Sequence, residues 1–194
     1  VRRLDPSLLP ADEVQYHRRV YLHRLGADPE TDVEIFGAGR PITSYFGVQV
    51  SMDGRWLQLS SQEGTEPRND LWLADLTASP LETPAFREVQ VDVDANTGLY
   101  FARDGRVLVH TDRDAPRGRV LVVDPSDLAY ESWVELVPED DEAVLEDFAF
   151  LDGPDLDVPV MAVSWTLHGV GEITLHDAAT GARTGVLPLP GVGT

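Results

Sequence analysis

Five histidines, a scatter of serines and 34 Asp and Glu residues are the groups in this 194-residue chain that could do chemistry. Among His17, His23, His110, His168 and His176 there is no i, i+4 pair of the kind a helical zinc site needs, and no serine and carboxylate near them to form a hydrolytic set. No serine sits in a Gly-x-Ser-x-Gly frame, the strained turn that lifts an α/β-hydrolase nucleophile. Asp92 to Gly98 begins like a calcium loop, but its sixth position is Thr97 instead of Gly and its twelfth is Arg103 instead of Glu. Asp152, Asp155 and Asp157 crowd a Gly153-Pro154 turn, where a solvated loop is favoured over a cation site. Cysteine is absent, which removes disulfides, thiolate metal sites and a cysteine nucleophile together. The sequence therefore predicts no catalytic residue, no metal and no cofactor in this chain.

The elements that carry these residues are short strands. Asp53-Gly54 is a tight-turn dipeptide, and Trp56-Leu57-Gln58-Leu59 after it alternates as a half-buried strand does. Gly64 to Asn69 breaks that strand, and Leu71 to Leu76 resumes the alternation. The unit then recurs. Asp53-Gly54-Arg55 returns as Asp104-Gly105-Arg106, and Leu71-Trp72-Leu73-Ala74-Asp75 returns as Val120 to Asp124 and Ile173 to Asp177. Val20 to Arg24 is an earlier copy in which Arg24 replaces the aspartate. A period of about fifty residues with no helical apolar pattern between copies matches a β-propeller blade.

Within the repeat, the Leu73 slot also holds Leu22, Val122 and Leu175 and is predicted to be core. The Trp72 slot also holds Tyr21, Leu121 and Thr174, a mixture that leaves its burial open. His23 and His176 share a slot on the face away from the apolar positions and are predicted to be plain surface residues. The tryptophans Trp56, Trp72, Trp133 and Trp165 fall on predicted strands, where packing between blades is favoured over ligand stacking.

The predicted fold is all-β: a β-propeller segment of about three and a half four-stranded antiparallel blades. Residues 1–44 form a connector and partial blade, 45–95 and 96–142 one blade each, and 143–194 a blade and the start of the next. The strand from Val20 to Leu25 is predicted as an open edge. The chain begins at Val1 and is expected to be a piece of something longer.

A formal net charge of −19 argues against nucleic acid and anionic membrane surfaces as partners, since both require clustered Lys and Arg. No apolar run approaches the roughly 20 residues that span a bilayer. Together with the missing cysteines, this gives a cytoplasmic expectation.

The order of motifs resembles the prolyl oligopeptidase family. The likeness is carried by Val20 to Gly26 with Asp32 to Phe36, by Val50 to Arg55, and by Gln62 to Thr65 with Asn69 to Trp72. Arg113 to Arg119, Trp133 to Glu139 and Leu175 to Asp177 continue it. The resemblance implies the middle of a seven-bladed propeller that caps an α/β-hydrolase domain holding a Ser, Asp and His triad. It implies cleavage of short peptides after proline, with the propeller tunnel limiting which peptides enter. Two residues are implied at the substrate cavity: Tyr45, at a position that lines an apolar subsite, and Gln62, where some members place an arginine against the peptide. Gln62 departs from that pattern, because a neutral amide offers no charge-assisted bidentate contact. Ordinary strand-end packing is the competing reading for both.

Two functions follow. One is the non-catalytic, access-limiting part of a post-proline serine peptidase, partnered by the remaining blades and hydrolase domain of the same protein and by short peptides. The other is a stand-alone propeller-like binding module. A cut ring exposes blade faces, so the chain is expected to associate with the rest of its own propeller or, as the less favoured partner, with a second copy of itself.

Overall fold

The computed structural model describes residues 1–151, 153 and 156–191. The acidic turn of Asp152, Asp155 and Asp157 rests on two residues, Asp152 and Asp155, that lie outside them, as do residues 192–194 at the predicted start of a further blade.

Every named strand is antiparallel to its neighbours, and the strands fall into two compact units, Val1–Asp94 and Ala95–Thr194. In the first unit, β1 (Arg2–Arg3), β2 (Arg18–Leu22) and β3 (Val33–Phe36) form a three-stranded sheet, and β4 (Ser44–Val50), β5 (Trp56–Glu63), β6 (Asp70–Asp75) and β7 (Arg87–Gln90) form a four-stranded one. In the second, β8 (Thr97–Phe101), β9 (Val107–Thr111), β10 (Arg119–Val123) and β11 (Val134–Val137) make one four-stranded sheet. β12 (Val144–Leu151), β13 (Val160–Leu167), β14 (Val170–Asp177) and β15 (Arg183–Leu187) make the other. Each four-stranded sheet runs in chain order, the meander of a propeller blade.

The repeated aspartates explain why the strands end where they do. Asp53 and Asp104 each accept a hydrogen bond from the backbone N–H two residues on, at 3.1 and 3.0 Å, and the following Gly54 and Gly105 take φ of +74° and +89°. At the far strand ends, Asp75 accepts from the Thr77 amide and hydroxyl, Asp124 from those of Ser126, and Asp177 from the amides of Ala179 and Thr180. The most regular acidic residues in the sequence are thus turn-closing groups.

Three expectations are corrected. β2 is no edge: Arg2 and Arg3 pair with Arg19 and Arg18, so it lies between β1 and β3. The predicted connector supplies this third strand because a short extended segment beside an unpaired ladder gains hydrogen bonds. The second correction concerns the slots. Trp72, Leu121 and Thr174 are buried and Tyr21 half-buried, whereas of the Leu73 slot only Leu73 itself is buried, with Leu22, Val122 and Leu175 half-buried. The third is His176, which is buried, while His23 in the same slot is exposed and bonded to Asp32 at 2.7 Å.

Apolar packing joins sheet to sheet within each unit. In the first, Val20, Leu59 and Trp72 pack with Phe36, Phe46 and Phe86, and the Phe36 ring lies 5.0 Å from Trp72, 5.7 Å from Phe46 and 5.3 Å from Phe86. In the second, Leu108, Val120 and Val137 meet Leu145, Met161, Val163 and Trp165. All four tryptophans are buried, although Trp133 closes a 3-10 turn just ahead of β11 instead of lying within it. Burial of such side chains, at about 1.5–3 kcal/mol each, is the main force holding neighbouring sheets together.

Candidate functional site

Tyr45 and Gln62 come together. β4 and β5 pair so that Tyr45 stands directly opposite Gln62, and side chains at such a position share one face of the sheet. The Tyr45 ring is 51% exposed on an edge strand whose Val48 and Val50 are exposed too. The Gln62 amide nitrogen donates to the Glu66 carbonyl within its own hairpin, which spends one of its two N–H groups on the turn. Next to it, Glu63 accepts from the Thr43 hydroxyl at 3.0 Å.

A third side chain joins this pair from another sheet. The Arg18 guanidinium of β2 lies 3.8 Å from the centre of the Tyr45 ring, a cation–π stack. Sequence reasoning missed it, because 27 positions separate the two residues and neither carries a motif. An arginine opening a strand reads only as a solvated edge residue, and nothing local announces an aromatic ring above it.

His176 forms the other polar cluster. Trp165 Nε1 donates to Thr174 Oγ1 at 2.8 Å, Thr174 Oγ1 lies 2.7 Å from His176 Nε2, and His176 Nδ1 lies 2.8 Å from the Gly181 carbonyl. A carbonyl only accepts, so Nδ1 carries the proton toward Gly181, and in the neutral ring Nε2 is left to accept from the Thr174 hydroxyl. A hydroxyl beside an imidazole is the germ of a nucleophile and base pair, but Thr174 and His176 are 2% and 6% exposed. The group orienting the imidazole is also a backbone carbonyl instead of a carboxylate. The chain of bonds satisfies buried polar atoms and locks the β14–β15 turn. Gly181 is essential to that turn: its φ is +73°, and a Cβ there would run into the Leu136 carbonyl.

A cleft of about 800 Å³ lies beside this network, lined by Trp165, Leu167, Val170, Leu187 and the ion pair of Glu172 with Arg183 at 3.1 Å. Among the described residues, no group of three or more His, Cys, Asp or Glu is placed to hold a metal ion. No helix of the described residues is long and apolar enough to cross a membrane.

The perturbed carboxylates mark turns instead of a reaction centre. Hydrogen bonds from the Arg55 guanidinium, at 2.8 and 3.0 Å, and then from Thr77 hold Asp75 far below the usual carboxylate range. Asp124 is lowered by the Ser126 hydroxyl and amide, and Asp177 by the Thr180 amide and hydroxyl. A depressed pKa in a cleft can signal catalysis, but these three close exposed turns.

Comparison with known proteins agrees with this architecture. The whole chain, residues 1–194, matches the model of the prolyl oligopeptidase N-terminal β-propeller domain. It is 25% identical over 168 residues to prolyl oligopeptidase A of Amanita bisporigera, covering 84% of this chain and 21% of that protein. It is 27% identical over 124 residues to the prolyl endopeptidase of Elizabethkingia miricola, covering 64% of this chain and 17% of that protein. Among solved structures, a prolyl endopeptidase from work on inter-domain dynamics in catalysis and specificity superposes with a TM-score of 0.82 at 29% identity, over 98% of this chain and 26% of that one. Prolyl oligopeptidase B from Galerina marginata, bound to a 35mer hydrolysis and macrocyclization substrate, gives a TM-score of 0.77 at 22% identity over 91% of this chain and 24% of that one, a likeness of fold alone. The chain thus spans about a fifth of the curated relatives' length and about a quarter of the solved ones. With blade-like four-stranded meanders, turn aspartates in register and a domain model matched from end to end, the chain belongs to the prolyl oligopeptidase family, as part of its N-terminal β-propeller domain.

Proposed function

We propose that this chain is the non-catalytic propeller portion of a post-proline serine peptidase. In this reading it limits access of short proline-containing peptides to a hydrolase domain encoded elsewhere in the same protein. The observation that carries the proposal is the sheet β12–β15, whose strand β14 is inverted. Its closed face holds Thr174 and His176 along with Met161, Val163 and Trp165, while its open face holds Ile173 and Leu175 half-buried and Leu151 45% exposed. A strand built to face water would reverse that arrangement, with apolar residues in and polar residues out. An apolar face left wet is an interface. This favours the remaining blades as its cover and disfavours the stand-alone module. A second copy of the chain is the weaker candidate, since a two-fold contact would require the face to be complementary to itself.

The access-limiting role is supported by Tyr45, Val48 and Val50, apolar side chains exposed along the first strand of a blade. The test compares the full-length protein with the 194-residue chain on proline-containing reporters of increasing length. The full-length protein is expected to cleave short peptides after proline and to lose activity as the substrate approaches the size of a folded protein. The chain alone is expected to give no turnover, because it lacks a nucleophile activated by a base. Length-independent cleavage, or turnover by the repurified chain alone, would overturn the proposal.

A further inference from the structure

Arg18 is a half-buried cation without a counter-ion. Its side chain makes no hydrogen bond and no ion pair with any described residue, and its Nη1 nitrogen is shielded from solvent with no acceptor. Three carboxylates of the neighbouring segments, Glu13, Glu34 and Glu63, are engaged elsewhere. Glu13 pairs with His17 at 2.6 Å, Glu34 with Arg19 at 3.4 Å, and Glu63 accepts from Thr43. Shielding a guanidinium N–H from water without giving it an acceptor is unfavourable, and in native structures such a group calls for an explanation.

The Tyr45 stack supplies one. A guanidinium lying against an aromatic ring keeps its N–H groups in its own plane, at the edge of the stack, where a planar carboxylate can take the two on Nε and Nη2, the nitrogens of Arg18 that are not shielded. Gln62, opposite Tyr45, cannot offer that fork, and one of its amide hydrogens is already spent on Glu66. We propose that Arg18 is the charged specificity-determining residue of this site: supported by Tyr45, it binds a carboxylate of the incoming peptide. In this chain the charge at the site comes from β2 across the inter-sheet contact, not from the Gln62 position on β5. The proposal rests on the reading that Tyr45 and Gln62 face substrate.

The carboxylate has two sources, an acidic side chain or the peptide C-terminus, and one experiment separates them. The full-length protein is assayed on a Glu/Gln pair of otherwise identical proline-containing peptides and on a free-acid/amide pair. The wild type is expected to favour the acid of at least one pair by about tenfold in kcat/KM, mostly through KM, and the pair concerned identifies the source. Arg18→Gln should bring that ratio close to one, and Arg18→Lys, which keeps the charge but loses the fork, should leave an intermediate value. A wild type with no acid preference in either pair overturns the proposal without any variant, as does a folded Arg18→Gln protein with the wild-type ratio. If Tyr45→Ala and Gln62→Ala alter no peptide's KM, the substrate-facing reading has failed and this proposal fails with it. If they alter KM while the Arg18→Gln ratio stays unchanged, only the role of Arg18 is lost.

Discussion

β6 and β14 occupy the same place in the repeat, yet they are buried by different rules. In β6, Leu71, Trp72, Leu73 and Ala74 are all buried, so the period-two alternation visible in sequence disappears from the structure. In β14 alternation survives, but inverted, with Thr174 and His176 buried and Ile173 and Leu175 half-open. The difference teaches that the environment of a blade strand is set by what lies on each side of its sheet more than by the strand's own pattern. Trp72 is walled by Phe36, and Thr174 and His176 are tolerated inside because they satisfy each other and Trp165.

The largest effect is expected of Trp72→Ala. Removing the indole from the Phe36 and Leu59 cluster should cost about 3–5 kcal/mol, seen as a large drop in the urea midpoint. An unchanged midpoint would show that the aromatic cluster does not hold the first unit together.

Leu73→Ala and Leu175→Ala should differ by context. Leu73→Ala should cost about 2–5 kcal/mol in both the 194-residue chain and the full-length protein. Leu175→Ala should cost under about 1 kcal/mol in the chain alone, where its face is half-wet, and rise toward the Leu73 value in the full-length protein. Equal costs for Leu175→Ala in the two contexts would mean that nothing else in the protein covers that face.

A smaller effect is expected at the polar side of β14. Thr174→Val keeps the shape but strands the Trp165 N–H and deprives His176 Nε2 of its partner, for a loss of about 1–3 kcal/mol. His23→Ala in the equivalent slot of β2 should cost less than Thr174→Val, because His23 is exposed and Asp32 keeps Arg2 as a partner at 3.4 Å. Thermal unfolding of the two variants side by side measures the contrast.

The smallest effect is pH-dependent. Asp75 has a folded-state pKa below its unfolded value, so its contribution is complete above the ordinary Asp value of about 3.9 and is lost as pH falls toward the lowered folded value. Asp75→Asn should therefore flatten the acid limb of the stability curve and leave the slope near neutral pH unchanged. An acid limb with wild-type slope in Asp75→Asn would remove Asp75 from the account.

What the sequence made legible follows the same line. The strands around Asp53-Gly54, Asp104-Gly105 and the terminal aspartates could be read because a turn residue acts on its own backbone two positions away. Burial of Trp72, Leu175 and His176 could not, since it depends on a neighbouring sheet tens of residues distant. The pairing of Tyr45 with Gln62 follows from hairpin register and was nearly local, whereas Arg18 reaches the site only through the contact between sheets. The short β1 strand went unread because two arginines carry no strand signal until an unpaired ladder stands beside them.

Hydroxyl-radical footprinting of leucine side chains, in the 194-residue chain and in the full-length protein, reports whether the rest of the protein closes the open face of β12–β15. Leu73 is expected to be protected in both, and Leu175 to be oxidised in the chain alone and protected in the full-length protein. Equal reactivity of Leu175 in the two, whether exposed in both or protected in both, would contradict that closure.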